Sequence, residues 1–257
     1  MRISISEFSF SDGGIHADPD NAVARALRLV ADGAHVVDIG GESIRPGACR
    51  IDATEELRRV LPVVETLARA GVTVSIDTMR ARTAAAALEA GAQMVNDVSG
   101  GLADPDMGRV IADSGTQDVV MHWRAFSADM AYHCSYDDVT ADVRRELAVR
   151  VDSLRSLGVD AGQMILDPGL GFAKRPEHNW QILARLDRIV SLGFPVLVGA
   201  SRKSFLGELT RTAEGVTPPE ERDSLTATVT AFSVAAGASW VRVHDVTGSR
   251  NAACIAP

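Results

Sequence analysis

The sequence predicts an α/β chain folded as a single-domain (β/α)8 TIM barrel, and three observations predict it. Eight short apolar runs, each fitting a buried strand, alternate with segments whose apolar residues recur at helical spacing. Nearly every run ends in a polar or ionisable residue, as strands do when their ends open onto one functional face. The length of 257 residues is close to the roughly 250 usual for eight such repeats. A doubly wound open sheet is the main competitor, but no GxGxxG follows the first strand. No boundary divides the chain, so residues 1–257 read as one domain.

Taken in order, Ile3-Ser4-Ile5-Ser6 alternates as a short first strand, and residues 8–14 read as a polar loop. Val23, Ala26, Leu27 and Val30 then recur at helical spacing between Asp20 and Ala31. The second strand is 35–39. Residues 53–70 return to a helix, with Thr54 and Glu55 near its start and Gly71 just past its end. Strand 72–77 follows, then an alanine-rich helix at 80–90 that leads through Gly91 to strand 93–97. A helix near 105–114 precedes strand 119–122, and 123–136 reads as a longer active-site loop. His133 and Cys134 in that loop lack a third ligand at metal-binding spacing. A long charged helix at 137–157, strand 163–167, a helix at 177–192, strand 195–199, a helix near 220–237 and strand 239–244 complete the alternation. About a dozen residues follow His244, so the eighth helix is expected to be truncated.

Bulk properties exclude several functions. A formal net charge of −8 argues against a general nucleic-acid surface, although a local basic pocket is compatible with it. No apolar run approaches the roughly 20 residues that span a bilayer, and no signal-peptide stretch opens the chain, so a cytoplasmic location is expected. Cys49, Cys134 and Cys254 are scattered without CxxC spacing, which fits free thiols in a reducing compartment.

Residues 164–174 carry the strongest local signal. An apolar run ends in Asp167, Pro168 fixes φ, and Gly169 and Gly171 permit backbone angles that other residues avoid. Alone, an ordinary turn in which Asp167 caps the next helix would account for it. The same arrangement recurs along the chain, at Asp38, Asp77, Asn96 with Asp97, His122, Ser201 with Lys203, and Arg242 with His244. Asp77, Asn96 and Asp167 supply acceptors and an amide suited to a flat, donor-rich heterocycle. Arg45, Lys203, Arg242 and His244 supply cations suited to anionic oxygens. The loops after strands seven and eight are a recurrent phosphate site in this fold. Residue type and phase therefore point to an enzyme that binds a neutral ring on one side and a phosphate on the other, without naming the reaction.

The motifs that carry these residues resemble those of the dihydropteroate synthase family. They are Ser9-Phe10-Ser11-Asp12-Gly13-Gly14, Asp38-Ile39-Gly40-Gly41-Glu42-Ser43 with Arg45-Pro46-Gly47-Ala48, and Ser75-Ile76-Asp77-Thr78. Asn96-Asp97-Val98-Ser99-Gly100-Gly101, Met121-His122, Asp167 to Phe172, Ser201-Arg202-Lys203-Ser204 and Arg242 to Val246 follow in the family order. The resemblance implies a transferase of folate biosynthesis and a sulfonamide target. Such an enzyme condenses 6-hydroxymethyl-7,8-dihydropterin diphosphate with p-aminobenzoate, with Mg²⁺ as cofactor. Carried over motif by motif, Asp77, Asn96, Asp167 and Lys203 hold the pterin, with Asp38 and Met121 alongside. Arg45, Arg242 and His244 face the diphosphate, and Phe10, Pro46, Phe172, Ser201 and Lys203 border the aminobenzoate. Asp77, Asp167, Lys203, Arg242 and His244 are the residues the resemblance makes catalytic.

The sequence departs from the family pattern at three places. Ser4 stands where the family has an Asn that helps place Mg²⁺, and a hydroxyl is the poorer ligand. Ile44 precedes Arg45 where the family has Thr or Ser. The short segment after His244 counts against the homodimer that the family builds on its last helix. Two other readings stay open at this point: a weak pterin-binding paralogue, and a folate-dependent corrinoid methyltransferase, which would not need Lys203, Arg242 and His244.

Overall fold

The computed structural model describes residues 19–42, 50–213 and 215–256, and for residues 5–9 the backbone path alone. Eight parallel strands form one sheet: β1 Ile5–Ser9, β2 Val36–Gly40, β3 Val74–Asp77, β4 Met94–Asp97, β5 Gln117–Met121, β6 Met164–Asp167, β7 Leu197–Val198 and β8 Trp240–Val243. Their order is β6-β5-β4-β3-β2-β1-β8-β7. The ring closes between β6 and β7 through a parallel bridge from Leu166 to Val196, with the Leu166 N–H donating to the Pro195 carbonyl at 2.8 Å. The expected barrel is the observed one.

Register sorts the side chains. The pairs Ser75–Met94, Asn96–Val119, Val119–Ile165 and Leu197–Trp240 put one set of alternate residues on the inner face. Val36, Met94, Val119, Ile165, Leu197 and Trp240 form a single buried cluster that plugs the barrel below the strand ends. Two residues further along, the same face carries Asp38, Asp77, Asn96, Met121, Asp167 and Arg242. The other face, including Val37, Ile39, Val74, Ile76, Val95, Val120, Leu166 and Val198, packs against the helices in the main core. Each such side chain contributes about 1.5–3 kcal/mol by burial.

The covering helices are α1 Pro19–Ala31, α2 Ala53–Arg69, α3 Ala81–Glu89, α4 Met107–Ser114, α5 Val139–Ser156, α6 Pro176–Ala184, α7 Asp187–Val190, α8 Ser204–Leu209, α9 Asp223–Ala235 and α10 Val246–Ile255. Short polar caps start the longest ones. Asp52 accepts the Glu55 N–H at 2.9 Å, and Asp138 accepts those of Thr140 and Ala141 at 3.0 and 3.1 Å. Three features differ from expectation. The helix expected at 177–192 is two helices, because the chain leaves helical angles at Arg185 (φ −128°, ψ 33°), whose guanidinium pairs with Asp138 at 3.0 Å. A short helix, α8, follows β7 and buries Phe205 edge-on against Trp180. The eighth helix, expected to be truncated, is ten residues long. Asp245 caps it through the Gly248 N–H, and Ala253 packs on Val241, Val243 and Val234, so the outer face of β8 is covered.

Candidate active site

At the mouth, Asp38, Asn96, Asp167 and Arg242 form one polar cluster, each no more than 3% exposed. Asn96 donates from Nδ2 to Asp38 Oδ2 at 2.7 Å. Arg242 lies between the two carboxylates, 3.8 Å from Asp38 Oδ2 and 3.6 Å from Asp167 Oδ2. Carboxylates this deep need such compensation, because desolvation of an isolated charge is prohibitive. The distances are long for hydrogen bonds, so the guanidinium balances charge while leaving acceptors directed elsewhere. Among the described residues, Asn96 Oδ1 and Asp167 Oδ2 are buried acceptors with no hydrogen-bond donor. Buried acceptors of that kind mark a place where a donor-bearing ligand belongs. Gly199 keeps space beside the guanidinium, because a Cβ there would lie 3.2 Å from an Arg242 nitrogen, whereas a Cβ at Gly40 would meet Asp77 Oδ2 at an ordinary 3.5 Å.

The loop after β6 forms the next wall. Asp167 Oδ1 accepts the Gly169 N–H at 2.7 Å, and Asn179 Oδ1 accepts that of Gly171 at 2.7 Å. Gly169 has φ +65°, and a Cβ there would stand 2.4 Å from the His122 carbonyl oxygen, so only glycine fits. Lys203 Nζ donates to the Leu170 carbonyl and sits 4.6 Å above the centre of the Phe172 ring. Phe172 itself packs with Met79, Val98, Met121, Met130 and Ala173. An aromatic face, an ammonium and a flanking apolar floor are thereby placed side by side.

Next to this wall, Ser201 joins the ends of β7 and β8. Its Oγ accepts the His244 backbone N–H at 3.1 Å and lies 2.8 Å from His244 Nδ1. The hydroxyl has a second lone pair and one O–H, so it pairs with Nδ1 in either ring tautomer, and the contact fixes the position of the imidazole. Arg202 takes a left-handed conformation, φ +56°, and is locked from three sides. Asp223 pairs with its guanidinium at 2.8 and 2.7 Å, Thr226 Oγ1 accepts its N–H at 3.2 Å, and Arg222 donates to its carbonyl at 2.7 Å. That lock directs Ser201 and Lys203 inward while Arg202 faces the helices.

The structure thus brings Asp38, Asn96, Met121, Asp167, Phe172, Ser201, Lys203, Arg242 and His244 to one face, with Asp77 aligned between Gly40 and Asn96 in the sheet register. Ser4, Phe10, Ile44, Arg45, Pro46 and Cys49 lie outside the described residues. The ends of the β2 loop are nonetheless fixed. Arg80 donates to Glu42 at 2.7 Å, to Glu56 at 2.6 Å and to the Ile51 carbonyl at 2.5 Å, and Arg50 donates to Glu42 at 2.9 Å. Glu56 is fully buried and also accepts from Thr78 and Thr83 at 2.7 and 3.1 Å.

Two strand-end residues named with this set from the sequence belong elsewhere. Asp97 and His122 follow the inward Asn96 and Met121, so alternation turns them outward. Asp97 accepts from the Ser99 hydroxyl and from the Ser99 and Gly101 N–H groups at 2.6–2.8 Å, and burial raises its pKa. His122 lies between Glu146 of α5, 2.9 Å from Nε2, and Lys174, 2.9 Å from Nδ1. Burial, with the Lys174 charge, holds the imidazole down at about 4, so it is neutral. Lys174, Glu56 and Arg80 were not foreseen: a lysine after a glycine turn and a glutamate in an amphipathic helix both read as solvated residues. Among the described residues no three His, Cys, Asp or Glu could hold a metal ion.

A family model described as pterin binding enzyme matches residues 2–244. The dihydropteroate synthase of Mycobacterium leprae is 52% identical over 252 residues, covering 97% of this chain and 89% of that protein. The chain belongs to the dihydropteroate synthase family. A solved Xanthomonas albilineans dihydropteroate synthase with 4-aminobenzoic acid superposes with TM-score 0.89 at 40% identity, over 98% of this chain and 90% of the other. The Anaplasma phagocytophilum dihydropteroate synthase with bound 6-hydroxymethylpterin-monophosphate superposes with TM-score 0.90 at 34% identity, over 100% and 98%. The synthase is a transferase of folate biosynthesis, which sets aside the corrinoid methyltransferase reading. No helix among its described residues is long and apolar enough to cross a membrane.

Proposed function

We propose that the residues at the barrel mouth divide the condensation of 6-hydroxymethyl-7,8-dihydropterin diphosphate with p-aminobenzoate between an acidic and a cationic side. The observation that carries this division is the pair of buried acceptors, Asn96 Oδ1 and Asp167 Oδ2, at the mouth that Arg242 and Lys203 also reach. Asp77, Asn96 and Asp167 accept from the ring N–H groups of the pterin, with Asp38 holding the Asn96 amide in orientation. Arg242 and His244, with Arg45, face the diphosphate. Lys203 and Phe172 offer an aromatic face and a cation to the aminobenzoate, and Ser201 a hydroxyl. Sulfonamides, which share the shape of that substrate, would compete for the same place.

In the reaction the bond between the pterin methylene carbon and the bridging oxygen breaks, and its electron pair leaves on diphosphate. The aminobenzoate nitrogen attacks the methylene carbon and loses a proton to water. Positive charge builds on the conjugated ring as the leaving group departs, and the Asp167 and Asp77 carboxylates stabilise it in a dry pocket. The nucleophile is a neutral arylamine, so positioning and charge stabilisation outweigh general-base catalysis.

Mg²⁺ is part of this proposal; no group of three His, Cys, Asp or Glu among the described residues could hold it, and no step is assigned to it. An ion here would be held chiefly by diphosphate oxygens and water, as this cation often is. Diphosphate release with both substrates, repeated after chelation of divalent ions, tests the reading. Release that requires p-aminobenzoate supports it, and binding of the pterin without release contradicts it.

A further inference from the structure

Lys174, 8% exposed, is the one buried lysine among the described residues, and the chemistry above does not use it. Its Nζ lies 2.9 Å from His122 Nδ1, 2.9 Å from the Gly169 carbonyl and 3.0 Å from the Phe172 carbonyl. An ammonium has three N–H bonds, and three acceptors surround this one. The geometry also fixes the histidine: Nδ1 accepts, so Nε2 carries the proton and donates to Glu146 at 2.9 Å. Glu146 is in turn paired with Arg124, and burial, which would raise its pKa, is outweighed by the hydrogen bonds from His122 and Arg124, leaving it at about 2.

The loop that this ammonium ties down is the wall carrying Leu170 and Phe172. Ala173, with φ +47°, reverses the chain so that Lys174 points inward, and Tyr136 Oη donates to the Ala173 carbonyl at 3.0 Å. We propose that Lys174 is a positioning residue for p-aminobenzoate: by cross-linking the β6 loop to the end of β5 it holds the Phe172 ring beneath Lys203. The inference rests on the reading that Phe172 and Lys203 border that substrate. Lys174 itself touches neither substrate. It acts through two backbone carbonyls, one of them that of Phe172.

The charge on this lysine is adjustable. Burial lowers its pKa to about 7; Asp167 and Glu146 oppose the fall, while Lys203 and Arg124 add to it. His122, Tyr136 and His178 are the other titratable groups around it. Deprotonation leaves two N–H bonds for three acceptors, so the loop loses one of its ties as pH rises through that value.

The test is steady-state kinetics of Lys174→Met and Phe172→Ala at saturating pterin diphosphate, with calorimetry of pterin binding. K174M is expected to raise the p-aminobenzoate KM about tenfold, to change kcat less than about threefold, and to leave the pterin Kd within about twofold. The wild-type KM for p-aminobenzoate should climb from about pH 6 to about pH 8.5, and that of K174M should be flat. A raised KM in F172A with an unchanged KM in folded K174M overturns the role of Lys174 alone. An unchanged KM in F172A overturns the placement of p-aminobenzoate and this inference with it. If K174M does not fold, the wild-type profile decides, and a flat aminobenzoate KM across that range overturns the proposal.

Discussion

Asp167→Asn keeps the volume of a central side chain and removes one negative charge. The carboxylate is 1% exposed, accepts the Gly169 N–H at 2.7 Å and stands 3.6 Å from Arg242. An amide oxygen can replace the acceptor to Gly169, but the NH₂ group then faces the guanidinium, donor against donor. Removing the whole partner of a buried ion costs about 3–5 kcal/mol; Arg242 keeps Asp38 at 3.8 Å, so about 1–3 kcal/mol is expected. At about 2–4 °C per kcal/mol for a domain of this size, the Tm should fall by about 2–12 °C. The effect on rate should be larger than that on folding. A unit charge about 4–5 Å from a developing cation is worth about 3–4 kcal/mol at an effective dielectric near 20. That corresponds to a loss of a few hundred-fold in kcat. Initial rates of diphosphate release, with thermal unfolding as the control, measure both. A folded D167N whose kcat stays within about threefold of wild type would refute the electrostatic role.

Other perturbations probe separate parts of the site. Lys203→Ala removes the cation above Phe172 and the donor to the Leu170 carbonyl, and should lower kcat/KM at least about 100-fold with a small change in Tm. Asp223→Ala frees the Arg202 guanidinium from a largely buried bidentate pair, so the left-handed turn loosens; kcat/KM for both substrates should drop about tenfold, read by the same rate assay. His122 titrates near its ordinary 6.5 when unfolded and at about 4 when folded. Between those values the unfolded chain binds more protons, so stability falls as pH is lowered through that window. His122→Gln should flatten that part of the denaturation-versus-pH curve, and an unchanged slope would exclude the histidine as its source.

How much of this was legible in the sequence depended on which physical signal each residue leaves. Alternating apolar runs located the strands, and Gly71 and Gly91 marked helix ends, because burial and backbone angles constrain residue type directly. Asp38, Asn96, Asp167 and Arg242 could be picked out because each interrupts an apolar run at one phase of the repeat. Parity could not be read at the strand ends. A parallel strand covered on both faces has no polar side, so nothing distinguished Asn96 from Asp97, or Met121 from the outward His122. Lys174 and Glu56 were missed for another reason. Each is buried only because a distant element supplies its partners, β5 for the lysine and α3 with its preceding turn for the glutamate. The number of residues after His244 says little about α10, whose hold comes from Asp245 capping it and Ala253 seating it on β8.

The most direct test of the central claim is a crystal structure of this protein with the pterin diphosphate bound. The account predicts one ligand whose ring lies within hydrogen-bonding distance of Asn96 and Asp167, with its diphosphate toward Arg242 and His244. A ring bound elsewhere, with Asn96 Oδ1 and Asp167 Oδ2 still lacking donors, would contradict it.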